Sequence, residues 1–175
     1  VKYFKSIGEP KGMQDVLKNR GDQSKYLMSF AQEILREPSA LDSKTKELIA
    51  AFTSRLNKCE YCEGSHTVFA ISLGIDEELL NKCLNQDYET IKLKPLLDYV
   101  KILTTSPSML NKKNVEDVLD GGYTEQELQD AIFVCAAFNM FNRIIEGHGV
   151  SKNEDTWLQS SDIINKVGYD GRYFK

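Results

Sequence analysis

Residues 124–146 restrict the fold of this chain more than any other stretch. Thr124 followed by Glu127 is a capping box, and the run it opens, to about Glu146, is the longest helically patterned segment in the sequence. Its middle, Ala131-Ile-Phe-Val-Cys-Ala-Ala-Phe138, is apolar on every side. A helix of that kind belongs at the centre of a fold or in a subunit interface. Its apolar run is far too short to cross a bilayer, which takes about 20 residues. The expectation is a helical protein built around this segment.

The remaining pattern agrees. Strand-like alternation is scarce, and Gly and Pro fall mostly at breaks. Tyr26, Leu27, Phe30, Ile34 and Leu35 give helical spacing over 23–36, stopped by Pro38. Ser43 is a candidate N-cap for a helix through about Leu56, with Leu48, Ile49, Phe52 and Leu56 on one face. After a break at Asn57-Lys58, a helix from near Cys59 to Leu73 ends at Gly74. Asp76 caps a short helix through Cys83, residues 92–105 form another, and Asn114 is a candidate cap for one ending before Gly121. Residues 1–22 are polar and glycine-containing and read as an extended arm. Residues 151–175 read as a tail, with Trp157 and the closing aromatics set either for a neighbouring subunit or for the chain's own core. The fold class expected is all-α, as a single domain over 1–175, since domains run to roughly 100–200 residues.

Charge narrows the partners. The net charge is −4 with both signs interspersed, which argues against nucleic acid or an anionic membrane. Nothing at the N-terminus resembles a signal peptide, although the chain begins at Val1. Four cysteines are too few for a disulfide scaffold. A Cys-x-x-Cys in such a chain reads as redox or metal chemistry in a cytoplasmic setting.

That pair is Cys59 and Cys62, with His66 four residues on and Glu47 twelve residues before Cys59. If Cys59 opens a helix, positions i, i+3 and i+7 share one face. The free amides at the helix start favour thiolate over thiol. His66 is placed to take the Cys62 proton and hold the thiolate as an ion pair. Glu47 reaches the site only if its helix folds back antiparallel at Asn57-Lys58, where it would hold a water or proton for Cys59. The reaction class that follows is attack of Cys62 on a peroxide oxygen, condensation of the sulfenic acid with Cys59, and reduction by an external dithiol. It needs no cofactor and no metal.

Glu47, Cys59-Glu-Tyr-Cys62 and His66 resemble the motif of the AhpD-like alkylhydroperoxidases, within the carboxymuconolactone decarboxylase superfamily. Ala137-Phe-Asn-Met-Phe-Asn-Arg143 through Val150 resembles the late helix of the peroxidase-related branch. The resemblance implies helical hairpins around a long central C-terminal helix, assembled as trimers or hexamers. It implies a peroxidatic Cys62 with Cys59 as partner, Glu47 and His66 as proton relay, and a lipoyl-bearing or thioredoxin-like protein as reductant. Tyr61 departs from the pattern: well-studied members have histidine before the second cysteine, and a phenol does not shuttle protons near neutral pH as imidazole does.

Other readings stay open. Cys59, Cys62, His66 and Glu47 would make a Cys₂HisGlu zinc set, though structural zinc sites prefer a second Cys or His pair. A protein-interaction module or a lactone-decarboxylase-like enzyme on the same scaffold is also compatible. Cys83 and Cys135 read as core thiols, and His148 as a partner of a helix C-terminus.

Overall fold

A computed structural model describes residues 3–18, 20–152 and 154–173, the side chains of 172 and 173 excepted. It is helical, with no β-strand among the described residues. The helices are α1 (Met13–Leu17), α2 (Asp22–Leu35), α3 (Ser43–Leu56), α4 (Glu60–Ser72), α5 (Glu77–Leu84), α6 (Lys94–Thr105), α7 (Lys112–Asp120), α8 (Glu125–His148) and α9 (Glu154–Tyr173). No helix is long and apolar enough to cross a membrane.

Helix α8 is central: it packs on α3, α6, α2, α4 and α1. Its start is the expected box, with Thr124 Oγ1 accepting from the Glu127 amide and Glu127 accepting from Thr124 N–H. Gly149 closes it at φ 67°, the left-handed region that glycine occupies without strain. Two caps differ from expectation by register. Asp42, not Ser43, caps α3, because its carboxylate accepts from Thr45 N–H at 2.8 Å. Asn111, not Asn114, caps α7, and Asn114 answers from the third helical position. The first is a shift of one residue and the second of about one turn, in both cases among residues that cap well.

The hairpin of α3 and α4 sets up the site. Lys58 at φ 58° reverses the chain, and Cys59 N–H donates to Ser54 O at 2.9 Å. Asn57 Nδ2 then donates to Asn139 and Asn142 of α8, and Asn142 donates to Ser54 Oγ at 2.9 Å. These side-chain bonds fasten the turn to the central helix, and Arg55 pairs with Glu63 across it at 3.1 Å.

Both chain ends are more structured than a polar arm and a tail. Residues 13–17 are helical, and Val16 and Leu17 are buried. Phe4 packs against the ring of His148, whose Nδ1 is bonded to Ile144 O. The segment that reads as a tail is α9, which lies across α2 and α4. Trp157 is buried against Gly64, where a Cβ would sit 2.1 Å from the indole. The apolar positions of α9 find partners distant in sequence, so no local pattern announces a helix. Val1, Lys2 and Asn19 of the arm, and Asn153, Phe174 and Lys175 of the tail, lie outside the described residues.

Candidate active site

Cys59 is the N-cap of α4 and Cys62 lies in its first turn. Cys59 is fully buried and Cys62 is 4 % exposed. All four cysteines are free thiols. Cys59 hydrogen-bonds Cys62, and this bond, followed by burial, pushes the Cys59 thiol far above its ordinary range; the Glu146 carboxylate adds a further bond in the same sense. Cys59 therefore keeps its proton. Burial also raises Cys83 to about 11 and raises Cys135, which fits inert core thiols.

His66, two turns along α4, meets Glu47 of α3. Its Nδ1 lies 2.5 Å from Glu47 Oε2, and Glu47 is fully buried. A ring nitrogen this close to a carboxylate carries the proton, leaving Nε2 as the acceptor. Phe138 holds the imidazole edge-on at 4.3 Å and Phe69 at 5.2 Å.

The second oxygen of Glu47 is also occupied. Oε1 accepts from the Tyr169 hydroxyl at 2.8 Å. It lies 3.0 Å from Arg36 Nη2, an ion pair rather than an aligned hydrogen bond. Arg36 in turn stands 5.4 Å over the Tyr169 ring.

Cys62 and His66 open together on a cavity of about 60 Å³, enough for a few waters or the reacting end of a small molecule. Its walls are mostly apolar: Met28, Leu35, Phe69, Phe138, Phe141 and Ile164, with Tyr169 and Ser160 supplying hydroxyls. Cys59 does not line it. The cavity thus offers one sulfur to a visitor and keeps the other behind it.

The four residues singled out by spacing do converge, with one change of partner. Glu47 serves His66, and the carboxylate that bonds Cys59 is that of Glu146. Tyr61 accepts from Met13 N–H at 3.3 Å, so the position that departs from the resembled motif holds the N-terminal segment beside the cavity. Arg36, Tyr169 and Glu146 join the site without any motif to mark them in the sequence. The ring of Tyr169 stands among the tail aromatics, but nothing local ties it to Glu47. No group of three or more His, Cys, Asp or Glu side chains is gathered as metal ligands among the described residues.

Residues 22–95 match the model of the carboxymuconolactone decarboxylase family. An uncharacterized protein, YdfG, of Bacillus subtilis (strain 168) is 25% identical over 150 residues, covering 82% of this chain and 90% of that one. Two solved structures share the fold. One is a peroxidase-related protein with an alkylhydroperoxidase AhpD core from Ralstonia eutropha JMP134, with TM-score 0.74 and 19% identity over 81% of this chain and 76% of that one. The other is the debrominase Bmp8, in a cysteine-to-alanine form complexed with 2,3,4-tribromopyrrole, with TM-score 0.71 and 16% identity over 87% of this chain and 82% of that one.

Proposed function

We propose that this chain, which over residues 22–95 is similar to the carboxymuconolactone decarboxylase family, is a thiol-dependent peroxidase running on the Cys59–Cys62 pair. The observation that carries the reading is the asymmetry of the two sulfurs. Cys62 faces the cavity beside His66, while Cys59 is sealed behind it with its proton held.

The steps follow from that arrangement. His66 Nε2 accepts the Cys62 proton, and Glu47 balances the imidazolium through Nδ1. The Cys62 thiolate attacks the terminal oxygen of a hydroperoxide. The O–O bond breaks, His66 returns a proton to the alkoxide, and Cys62 becomes a sulfenic acid. Cys59 then attacks the sulfenic sulfur, water leaves, and a disulfide forms. A dithiol protein, lipoyl-bearing or thioredoxin-like, reduces it by exchange and is itself oxidised. A cytoplasmic setting suits this cycle because thiols are kept reduced there, and a trimer or hexamer is the proposed assembly.

The aromatic walls also support a second substrate class. Phe69, Phe138, Phe141 and Tyr169 line the cavity together with Cys62, walls suited to the reacting edge of a flat ring such as that bound by the debrominase. The carbon–halogen bond would then break, the ring carbon would take a proton, halide would leave in place of alcohol, and the two thiols would supply the two electrons by closing the Cys59–Cys62 disulfide.

The deciding experiment is intact mass with peptide mapping after one equivalent of cumene hydroperoxide. A loss of about 2 Da at a Cys59–Cys62 bridge is expected for two-electron oxidation. Unchanged thiols would overturn the peroxidase reading, and bromide release from tribromopyrrole by the same protein would favour the second.

A further inference from the structure

We propose that Arg36 and Tyr169 are positioning residues that keep the Glu47–His66 pair in its working charge state, with Glu47 ionised and His66 Nε2 free to accept. The proposal deepens the peroxidase reading and rests on it for its consequence, but its test needs no peroxide.

Glu47 is a carboxylate with no solvent contact. Left with His66 alone, a buried carboxylate is relieved of its desolvation cost by drawing a second proton onto the pair. The imidazole would then rest as imidazolium, and the nitrogen meant for Cys62 would already be filled. The structure supplies two counterweights, both on the oxygen away from His66. Arg36, at the C-terminal end of α2 and with a side chain 10% exposed, places a cation 3.0 Å from Oε1. Tyr169 of α9 donates to the same atom. With that negative charge already compensated, the second proton is not needed and Nε2 stays open.

Placement of Tyr169 is specific. Gly168 interrupts α9 at φ 75°, ψ 176°, a backbone region open to glycine almost alone. The turn lets Tyr169 N–H donate to Gln32 Oε1 at 2.8 Å and sends the ring inward. There it lies nearly parallel to the imidazole, at 16° and 6.4 Å, and forms part of the cavity wall. Four helices, α2, α3, α4 and α9, thus each contribute one member of a single charge cluster.

Among the described residues, the titratable groups set against the Glu47–His66 pair are Arg36 at the end of α2, Tyr169 from α9 and, beside His66 on the cavity, Cys62 from the first turn of α4, with Cys59 behind it. Glu146 of α8 acts through Cys59. On the His66 side α8 presents the Phe138 ring. Removing Arg36 or the Tyr169 hydroxyl takes away a group that favours the anion, and both losses strengthen the cluster's hold on a proton.

The chain has only two histidines, so imidazole ¹⁵N spectra of the reduced protein can follow both across pH. His148, bonded to a backbone carbonyl, is the internal control. In Arg36→Met the pH of half-protonation of His66 is expected to rise by about one unit, equivalent to about tenfold tighter proton binding. Tyr169→Phe, which retains the ring, should move it the same way by less. Arg36→Lys, which retains the charge, should leave it near wild type. An unmoved His66 in both Arg36→Met and Tyr169→Phe overturns the proposal, even if peroxide closes the Cys59–Cys62 bridge. A shifted His66 in a protein that peroxide leaves untouched upholds the clamp and removes the peroxidase reading instead. If Arg36→Met fails to fold, Tyr169→Phe decides alone, and a lowered melting temperature with His66 unmoved counts against the proposal.

Discussion

At the scale of single residues, Glu47 is where the charges of the site meet. It binds His66, Tyr169 and Arg36 at once, so its removal acts on chemistry and on folding together. Glu47→Gln strands Arg36 as a nearly buried cation, and breaking a buried pair in this way costs ~3 kcal/mol or more. It also takes away the counter-charge for a His66 imidazolium, which should slow peroxide oxidation of Cys62 by at least about 100-fold. Pairing the change with Arg36→Met separates the two effects. The double variant should regain much of the stability while the rate stays low, as denaturant midpoints and single-turnover oxidation would reveal. Recovery of both together would mean that Glu47 matters only as a structural partner. The same geometry explains what is legible in the sequence. Cys59, Cys62 and His66 share one helix, so their spacing alone places them on one face. Glu47 lies a single hairpin away, and its distance from the cysteines carries the signal. Tyr169 stands 122 residues from Glu47 and Arg36 belongs to a different helix. Side chains joined only through tertiary packing leave no periodic trace.

At the scale of elements, legibility follows the caps. Helices α3, α5 and α8 begin at residues whose side chains bond backbone amides three positions on, a local interaction with a local signature. The buried positions of α9, Trp157, Ile164 and Tyr169, answer to α2 and α4. Its sequence accordingly reads as a tail, yet it supplies Ser160, Ile164 and Tyr169 to the cavity wall. Gly64 tests its role as a cover. A Cβ there would meet the Trp157 ring at 2.1 to 2.4 Å, closer than any repacking of a rigid indole absorbs in place, so Gly64→Ala should lift α9 from α4. Overpacking of this kind costs typically about 1–3 kcal/mol. The melting temperature should fall, and iodoacetamide should alkylate Cys62 faster than in the parent protein. Gly147→Ala is the matched control, because a Cβ at that helical position meets nothing within 4 Å. If Gly64→Ala melts lower but alkylates at the parental rate, α9 is a structural brace and not the cover of the thiols.

At the scale of the whole molecule, the buried thiols couple folding to alkaline pH. Cys59, Cys83 and Cys135 are raised above the ordinary thiol value of 9.0, Cys59 first by its bond to Cys62 and then by burial, the other two by burial. The folded chain therefore holds these protons where the unfolded chain releases them. Stability from this source is complete below the ordinary thiol value of 9.0 and declines as pH rises above it, because the unfolded state then binds fewer protons. The decline continues through the Cys83 value of about 11. Lys46 works in the opposite sense. Burial lowers it from 10.5, so the unfolded chain binds the extra proton and stability gains as pH rises toward that value. Three thiols, joined by Tyr88 and Tyr123, which burial raises from 10.0 in the same sense, against one buried amine should leave a net loss between about pH 9 and about pH 10. Urea midpoints of the reduced protein should therefore fall across that interval, and less steeply in Cys83→Val, which removes one of the three protons while filling nearly the same space. Equal slopes in the parent and in Cys83→Val would mean that the Cys83 proton has no part in the alkaline loss.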